Sequence, residues 1–265
     1  MTARLRAAFT RAAAENRAAL IAYLTFGDPD IATSAAIVLS VAAAGADVIE
    51  LGVPFSDPSA DGPSIQRAME RALAGGAGLP GALDAVAALR ARGLATPIVL
   101  FGYYNPIFVM GPAAFAARAA GAGVDAVLTV DLPIDELAEL ATPLGAHGVG
   151  VIPLVAPTST PPRIARVAAV APPFVYYISM TGVTGAAAAT AVDPARLAAI
   201  RSASGAPVAV GFGIRTPADA ARAAAVADGV VVGSALVDRV AAGEAAGAPA
   251  RVGELVRALA AAMRR

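Results

Sequence analysis

Residues 46–66 read ADVIELGVPFSDPSADGPSIQ, and this stretch decides the fold. Val48, Ile49 and Leu51 form a short apolar run of the kind that becomes a parallel strand buried on both faces. The run ends at a glycine and a proline, and a polar loop leads into a helix that begins near Pro63. The stretch therefore predicts one strand, loop and helix unit of an α/β protein.

Three acidic residues lie in this unit. Glu50 stands inside the strand, where a carboxylate is costly, and Asp57 and Asp61 follow on the loop. Taken alone, Glu50 is explained equally well as a strand-end acid paired with an arginine or as one of a catalytic pair. Burial would raise the pKa of Glu50, which suits a proton carrier, whereas Asp61 on its polar loop is expected to stay ionised.

Strand-like runs recur along the chain. They cover residues 20–25, 48–51, 97–101, 126–130, 149–154, 174–178, 207–211 and 229–232. Ala-rich stretches with helical spacing lie between them, for example at residues 112–120, 135–144, 161–170, 194–200 and 217–225. Eight such units predict a closed eightfold βα barrel, or TIM barrel, as a single domain over residues 1–265 with an additional N-terminal helix near residues 4–14.

Composition narrows the class of function. Hydrophobic residues make up 57% of the chain and charged residues 15%, which excludes disorder. The formal net charge is zero and the arginines are scattered, so no basic face is expected for nucleic acid or an anionic membrane. The absence of Lys and Cys excludes a lysine Schiff base, thiol catalysis and zinc–thiolate sites. These observations favour a small-molecule substrate.

The sequence also predicts where the chain resides. Charged residues interrupt the N-terminal region, which does not match a secretory signal peptide. Prolines and glycines punctuate the two long uncharged stretches, residues 93–117 and 167–192, so we interpret these as buried strands and loops. We expect a cytoplasmic protein.

The loops after the seventh and eighth strands predict an anion site. Residues 211–214 read GFGI, and Gly233 and Ser234 open a helix. Backbone N–H groups of Gly213, Gly233 and Ser234 can hold a phosphate there without a lysine. A lone Gly-x-Gly would indicate only a strand-end turn, but its pairing with Gly-Ser favours the phosphate site. Arg215 is interpreted as a solvent-facing helix residue.

Other polar residues are interpreted as structural. Asp47, Asp125 and Asp228 each stand just before an apolar run, and His147 precedes the fifth strand. All four are expected in turns at strand entry, away from the chemistry.

The stretch ELGVPFSDPSADGP resembles the signature of the tryptophan synthase alpha subunit family. Residues 177–185, YISMTGVTG, and the glycines of the predicted phosphate site extend the resemblance over nearly the whole chain. It implies a lyase that splits indole-3-glycerol phosphate into indole and glyceraldehyde 3-phosphate without a cofactor of its own. It also implies an α2β2 complex with a beta subunit, which would use pyridoxal phosphate to join indole to serine.

The resemblance assigns roles residue by residue. Glu50 and Asp61 match the catalytic acids, and Tyr176 is expected near Glu50. The phosphate would be bound at Gly185, Gly213, Gly233 and Ser234. The indole pocket and its lid would involve Tyr23, Tyr103, Tyr176, Thr184 and Phe212. Met180 stands where many members have an arginine in the lid. Residues 56–62 and 180–189 are expected to be flexible until the partner orders them.

Two alternative functions fit the sequence less well than an alpha subunit does. Related phosphosugar barrels, such as indole-glycerol phosphate synthase and phosphoribosylanthranilate isomerase, are expected to use a catalytic lysine or cysteine, and this chain has neither. A non-enzymatic regulatory subunit would be signalled by loss of Glu50 or Asp61, and both are present.

Overall fold

A computed structural model describes residues 3–178, 193–211 and 213–264. In these residues one parallel sheet contains β1 Ala19–Thr25, β2 Val48–Gly52, β3 Ile98–Gly102, β4 Ala126–Thr129, β5 Gly150–Val151, β6 Leu154–Val155, β7 Val175–Ile178, β8 Val208–Gly211 and β9 Gly229–Val232. The α-helices are α1 Ala3–Ala14, α2 Ile31–Ala43, α3 Pro63–Ala74, α4 Leu79–Ala91, α5 Tyr104–Met110, α6 Pro112–Ala122, α7 Ala138–Ala146, α8 Pro161–Val167, α9 Pro194–Ser204, α10 Pro217–Ala224, α11 Ser234–Ala241 and α12 Ala248–Ala262.

The sheet closes on itself through its fifth strand. The strand order is β5-β4-β3-β2-β1-β9-β8-β7-β6, so the two edges, β5 and β6, are separated in sequence only by Ile152 and Pro153. Ile152 donates its N–H to the Val127 carbonyl at 2.9 Å, and the Tyr176 N–H is donated to the Pro153 carbonyl at 3.1 Å. The predicted TIM barrel is therefore confirmed.

The expected single strand over residues 149–154 is wrong in one respect. It is two short strands, because Pro153 has no N–H to donate to a ladder and the chain changes partner there, from β4 on one side to β7 on the other. The helix expected over residues 135–144 begins only at Ala138, after a turn closed by a hydrogen bond from Glu136 N–H to the Pro133 carbonyl at 2.9 Å.

The N-terminal helix closes the bottom of the barrel. Leu5 and Phe9 of α1 are buried in one cluster with Ile21, Val48 and other inward-facing strand residues. The Phe9 ring lies 5.3 Å from the ring of Phe174, centroid to centroid. Because strand side chains alternate between the two faces, the cluster identifies the positions of each strand that face the barrel interior. The helix predicted near residues 4–14 is confirmed.

Three aspartates hold the strand entries together at this lower end. Asp47 accepts the N–H of Leu20 at 2.9 Å, and Asp125 accepts that of Ile98 at 2.9 Å. Asp228 repeats the arrangement with Val208 N–H at 2.8 Å. Each also pairs with arginine: Asp47 with Arg11 and Arg17, Asp125 with Arg4 and Arg90, and Asp228 with Arg201. Their predicted position in strand-entry turns is confirmed, and their role is to link neighbouring strands.

In the described part of the chain, no single helix is long and apolar enough to cross a membrane. Among the described helices, only α3 and α4 taken together reach the required length and hydrophobicity, and these two helices meet at an angle of 90°.

Candidate active site

Glu50 is a buried acid on the inner face of the barrel. It lies two residues after Val48 on β2, and Val48 belongs to the interior cluster, so both side chains point to the same face. Only 1% of Glu50 is exposed, and within the described residues neither carboxyl oxygen has a hydrogen-bond partner. Burial therefore raises the pKa of Glu50 to about 8. At neutral pH the group is mostly protonated and can give up a proton.

Asp61 is a second buried acid, on the loop between β2 and α3. The sequence placed it on a polar loop, but the side chain turns inward and only 2% of the residue is exposed. Burial raises the pKa of Asp61 to about 6, and a hydrogen bond from the Tyr103 hydroxyl to Asp61 Oδ2 at 2.7 Å opposes that rise. The expected polar surroundings are wrong because the loop folds over the barrel mouth. The carboxyl is nevertheless mostly ionised at neutral pH.

Hydrogen bonds fasten the loop that carries Asp61. The Ala60 N–H is donated to the Tyr103 hydroxyl at 3.0 Å, and Gln66 Nε2 donates to the Asp61 carbonyl at 2.8 Å. The ring of Phe55 stacks on that of Tyr103 with centroids 4.9 Å apart. These contacts come from β3 on one side and α3 on the other, so the loop is anchored at its acidic residue. Whether a partner further orders residues 56–62 stays a prediction.

Tyr23 on β1 and Tyr176 on β7 occupy equivalent positions relative to their neighbouring strands. A Cβ at Gly52 would lie 2.3 Å from the Tyr23 hydroxyl, and one at Gly211 would lie 2.1 Å from that of Tyr176. Both phenols therefore lie over a glycine at the end of the neighbouring strand, and a side chain there would collide with the ring. Burial, together with the charges of Asp61 and Glu50, raises the pKa of each tyrosine well above its ordinary value. The effect of the Glu50 charge on Tyr176 agrees with the predicted proximity of the two residues.

The glycines of the predicted phosphate site, Gly213 and Gly233, follow β8 and β9, and a Cβ at Gly233 would lie 3.6 Å from that of Tyr23. Gly213, two residues after the end of β8, has a φ of +72°, a conformation that favours glycine. Gly233 precedes α11, whose first backbone bonds run from the N–H groups of Leu236 and Val237 to the Gly233 carbonyl. The N–H groups of Ser234 and Ala235 come before those bonds and are available to an anion.

Two of the residues considered from the sequence lie away from the acids, and four others lie outside the residues that the structure describes. Arg215 pairs with Asp238 at 2.6 Å, and half of its side chain is exposed, so the expected solvent-facing position is confirmed; the expected helix is wrong, because Arg215 lies in the loop before α10. His147 lies in the turn after α7, as expected. Thr184, Gly185, Phe212 and Met180 lie outside the described residues.

Comparison with known proteins now identifies the family. A family model described as tryptophan synthase alpha chain matches residues 9–264. The chain belongs to the tryptophan synthase alpha chain family. The tryptophan synthase alpha chain of Geobacter sulfurreducens is 53% identical over 235 residues, covering 88% of this chain and 89% of that protein. The alpha chain of Dechloromonas aromatica is 51% identical over 254 residues, covering 96% and 95%.

Solved structures of this family have the same fold. A Mycobacterium tuberculosis tryptophan synthase chain superposes with a TM-score of 0.90 at 41% identity, and all of both chains is covered. The tryptophan synthase subunit alpha of Legionella pneumophila gives a TM-score of 0.88 at 34% identity over 99% of each chain.

The structure adds apolar residues to the site that sequence reasoning missed. Ile65 and Met69 of α3 are buried in one cluster with Tyr23 and Tyr103 and so cover the barrel mouth. Their spacing, continued by Ala68 and Ala72, is that of an amphipathic helix, and this pattern in the sequence could have identified them.

Two further apolar residues, next to this mouth on α5, are unusually exposed: Phe108 by 62% and Val109 by 77%.

Proposed function

We propose that this chain, as a tryptophan synthase alpha subunit, cleaves indole-3-glycerol phosphate with Glu50 as the proton carrier and Asp61 as the fixed anion. One observation carries the assignment of roles: two buried acids at the loop end of the barrel differ in pKa, at about 8 and about 6. Near pH 7 one carboxyl is therefore mostly protonated while the other is mostly ionised, and the two can do different work.

The reaction can be followed proton by proton. Protonated Glu50 gives its proton to C3 of the indole ring, and the positive charge that develops on the ring N–H is stabilised by the Asp61 carboxylate. Glu50, now ionised, removes the proton of the side-chain hydroxyl. The carbon–carbon bond to C3 then breaks, an aldehyde forms, and the bonding electrons return to the ring and cancel its charge. Glu50 ends protonated, as it began, so the chemistry needs no external base.

The remaining residues bind the substrate. Tyr23 and Tyr176, which lie close to both acids, would form the walls of the indole pocket. The amides at Gly213, Gly233 and Ser234 would hold the phosphate; Gly213 has a positive φ, and Gly233 and Ser234 stand at the N-terminus of a helix. Thr184, Gly185 and Phe212 complete this proposal on the strength of the sequence motifs alone. No cofactor or metal is proposed for this chain.

The partner would be a beta subunit in an α2β2 complex that carries pyridoxal phosphate, in the cytoplasm. Phe108 and Val109 offer an exposed apolar surface on α5, which directly follows Tyr103 at the barrel mouth. We propose that the beta subunit covers this surface. Burial of the surface would place the partner next to the point where indole is released.

Two amide variants test the assignment. Glu50→Gln and Asp61→Asn each remove one ionisable group with little change of shape, so each should lower kcat at least ~10²-fold while substrate affinity changes far less. The kcat/KM of the wild type should be measured from pH 5 to 9, because this ratio reports the pKa values of the free enzyme. The wild type should give a bell-shaped profile with limbs near the two pKa values, about 6 and about 8. Wild-type turnover in either folded variant would refute the role of that acid.

A further inference from the structure

The Tyr103 hydroxyl contacts the Asp61 carboxylate directly, so the role of this residue need not be limited to packing against a substrate ring. Its hydroxyl donates to Asp61 Oδ2 at 2.7 Å and accepts the N–H of Ala60 at 3.0 Å. The phenol oxygen is thus held on both sides by the loop that carries the acid. The Tyr103 residue is 4% exposed, and its ring is stacked on Phe55. A hydroxyl fixed in this way has one orientation, in which its proton points at the carboxylate.

Burial opposes the ionisation of Asp61, and the ionisable groups around it are themselves acids. Glu50 on β2, Tyr23 on β1 and Tyr176 on β7 share the same buried space, and each is an acid that would be neutral or negative. Asp131, which follows β4, acts on Tyr103 with a further negative charge. Among these described groups, the hydrogen bond from Tyr103 is the interaction that favours the charged form of Asp61.

We propose that Tyr103 is a positioning residue that acts through Asp61: its hydroxyl holds the carboxylate in one orientation and favours its charged form by donating a hydrogen bond to it. The inference rests on the proposed function for its kinetic consequence, but the contact between Tyr103 and Asp61 does not depend on it. Without the hydroxyl, the pKa values of Asp61 and Glu50 would lie closer together. The proton would then be divided between the two carboxyls instead of staying on Glu50.

The Tyr103→Phe variant removes the hydroxyl and keeps the ring. The pKa of Asp61 should rise by about one unit, so at pH 6 the variant should lose roughly fivefold more activity than it loses at pH 8. The KM should change much less than kcat. Tyr104→Phe is the matched control, because Tyr104 is the next residue and its hydroxyl donates to Glu139 at 2.6 Å on the exposed surface. That control should keep the wild-type pH profile.

A second measurement does not depend on activity. Infrared titration of ¹³C-labelled aspartate in the Glu50→Gln background should show a carboxyl signal near pH 6 that Asp61→Asn removes, and adding Tyr103→Phe should move this signal upward by about one unit. If Tyr103→Phe does not fold, 3-fluorotyrosine at position 103 replaces it. A more acidic phenol donates more strongly, so the same titration should then move downward.

The outcomes separate the two proposals. An unshifted acid limb in folded Tyr103→Phe, or an aspartate titration that does not move, would overturn the role of Tyr103. A wild-type chain that does not cleave indole-3-glycerol phosphate would overturn the proposed function, and the infrared titration would still decide the contact between Tyr103 and Asp61. An equal fall in kcat at every pH would indicate a purely structural role and would also overturn the proposal.

Discussion

Glu50 should destabilise the folded chain at neutral and alkaline pH, and its removal should reveal how much. The carboxyl is buried without a described partner, and its pKa is raised from 4.5 to about 8. A group that binds its proton more tightly in the folded state makes the free energy of unfolding fall as the pH rises between the two pKa values. The part of the free energy of unfolding that depends on protonated Glu50 is fully present below about pH 4.5, and it is lost progressively as the pH rises to about 8.

The magnitude follows from the size of the shift. Each unit of pKa difference corresponds to about 1.4 kcal/mol, so Glu50 lowers the free energy of unfolding by about 3 kcal/mol at pH 7 and by about 4 kcal/mol at pH 8. Glu50→Gln removes this dependence because the amide does not titrate. An amide without a partner has its own cost, but that cost is the same at every pH.

The assay is urea unfolding of the wild type and Glu50→Gln at several values from pH 5 to pH 8. The variant should gain stability relative to the wild type by roughly 3 kcal/mol across this range, even though it should lose catalysis. Glu254→Gln, an exposed substitution on α12, is the matched control and should change the free energy of unfolding by less than about 0.5 kcal/mol. A difference for Glu50→Gln that stays constant within about 1 kcal/mol would refute the burial argument.

Three further predictions concern other parts of the chain. Gly213→Val, at a φ of +72°, should weaken binding of glycerol phosphate at least ~10-fold, as measured by calorimetry, and unchanged affinity would argue against the phosphate site. Asp125→Ala should lower the free energy of unfolding by about 2–4 kcal/mol, whereas Asp84→Ala, whose side chain is 73% exposed, should change it by less than about 0.5 kcal/mol. Phe108→Ser should weaken assembly with a beta subunit, measured by sedimentation, without slowing cleavage by the lone chain; Ile31→Ser, at a surface 46% exposed, should do neither.

Local patterns were sufficient to predict most of the fold. Short β-branched runs such as residues 48–51 can be read directly, because a strand buried on both faces has no polar side to confuse the pattern. The split of the fifth strand could not be read in the same way. Pro153 is compatible with a strand on one edge, and only the closure of the sheet shows that the chain changes its hydrogen-bond partner there.

The candidate site shows the same limit. The burial of Glu50 follows from its place in a strand, so its raised pKa could be expected. The burial of Asp61 could not, because the composition of residues 56–62 is that of an exposed loop. What turns Asp61 inward is its bond to Tyr103, a residue 42 positions further along the chain. No pattern within a single segment contains such a contact.

Buried acids at the two ends of the barrel have opposite surroundings. At the lower end, Asp47 and Asp125 each accept a backbone N–H and pair with two arginines, so their charge links neighbouring strands. At the upper end, Glu50 and Asp61 are equally buried, but Asp61 accepts its hydrogen bond from Tyr103, and the Glu50 carboxyl has no partner among the described residues. An arginine beside Glu50 would stabilise the fold and would keep the carboxyl ionised, which would end its use as an acid near neutral pH. The aspartate–arginine pairs at the lower end stabilise the fold away from the proposed reaction site. This stability offsets the cost of burying Glu50 and Asp61 at the upper end without a neighbouring cation in the part of the chain that the structure describes.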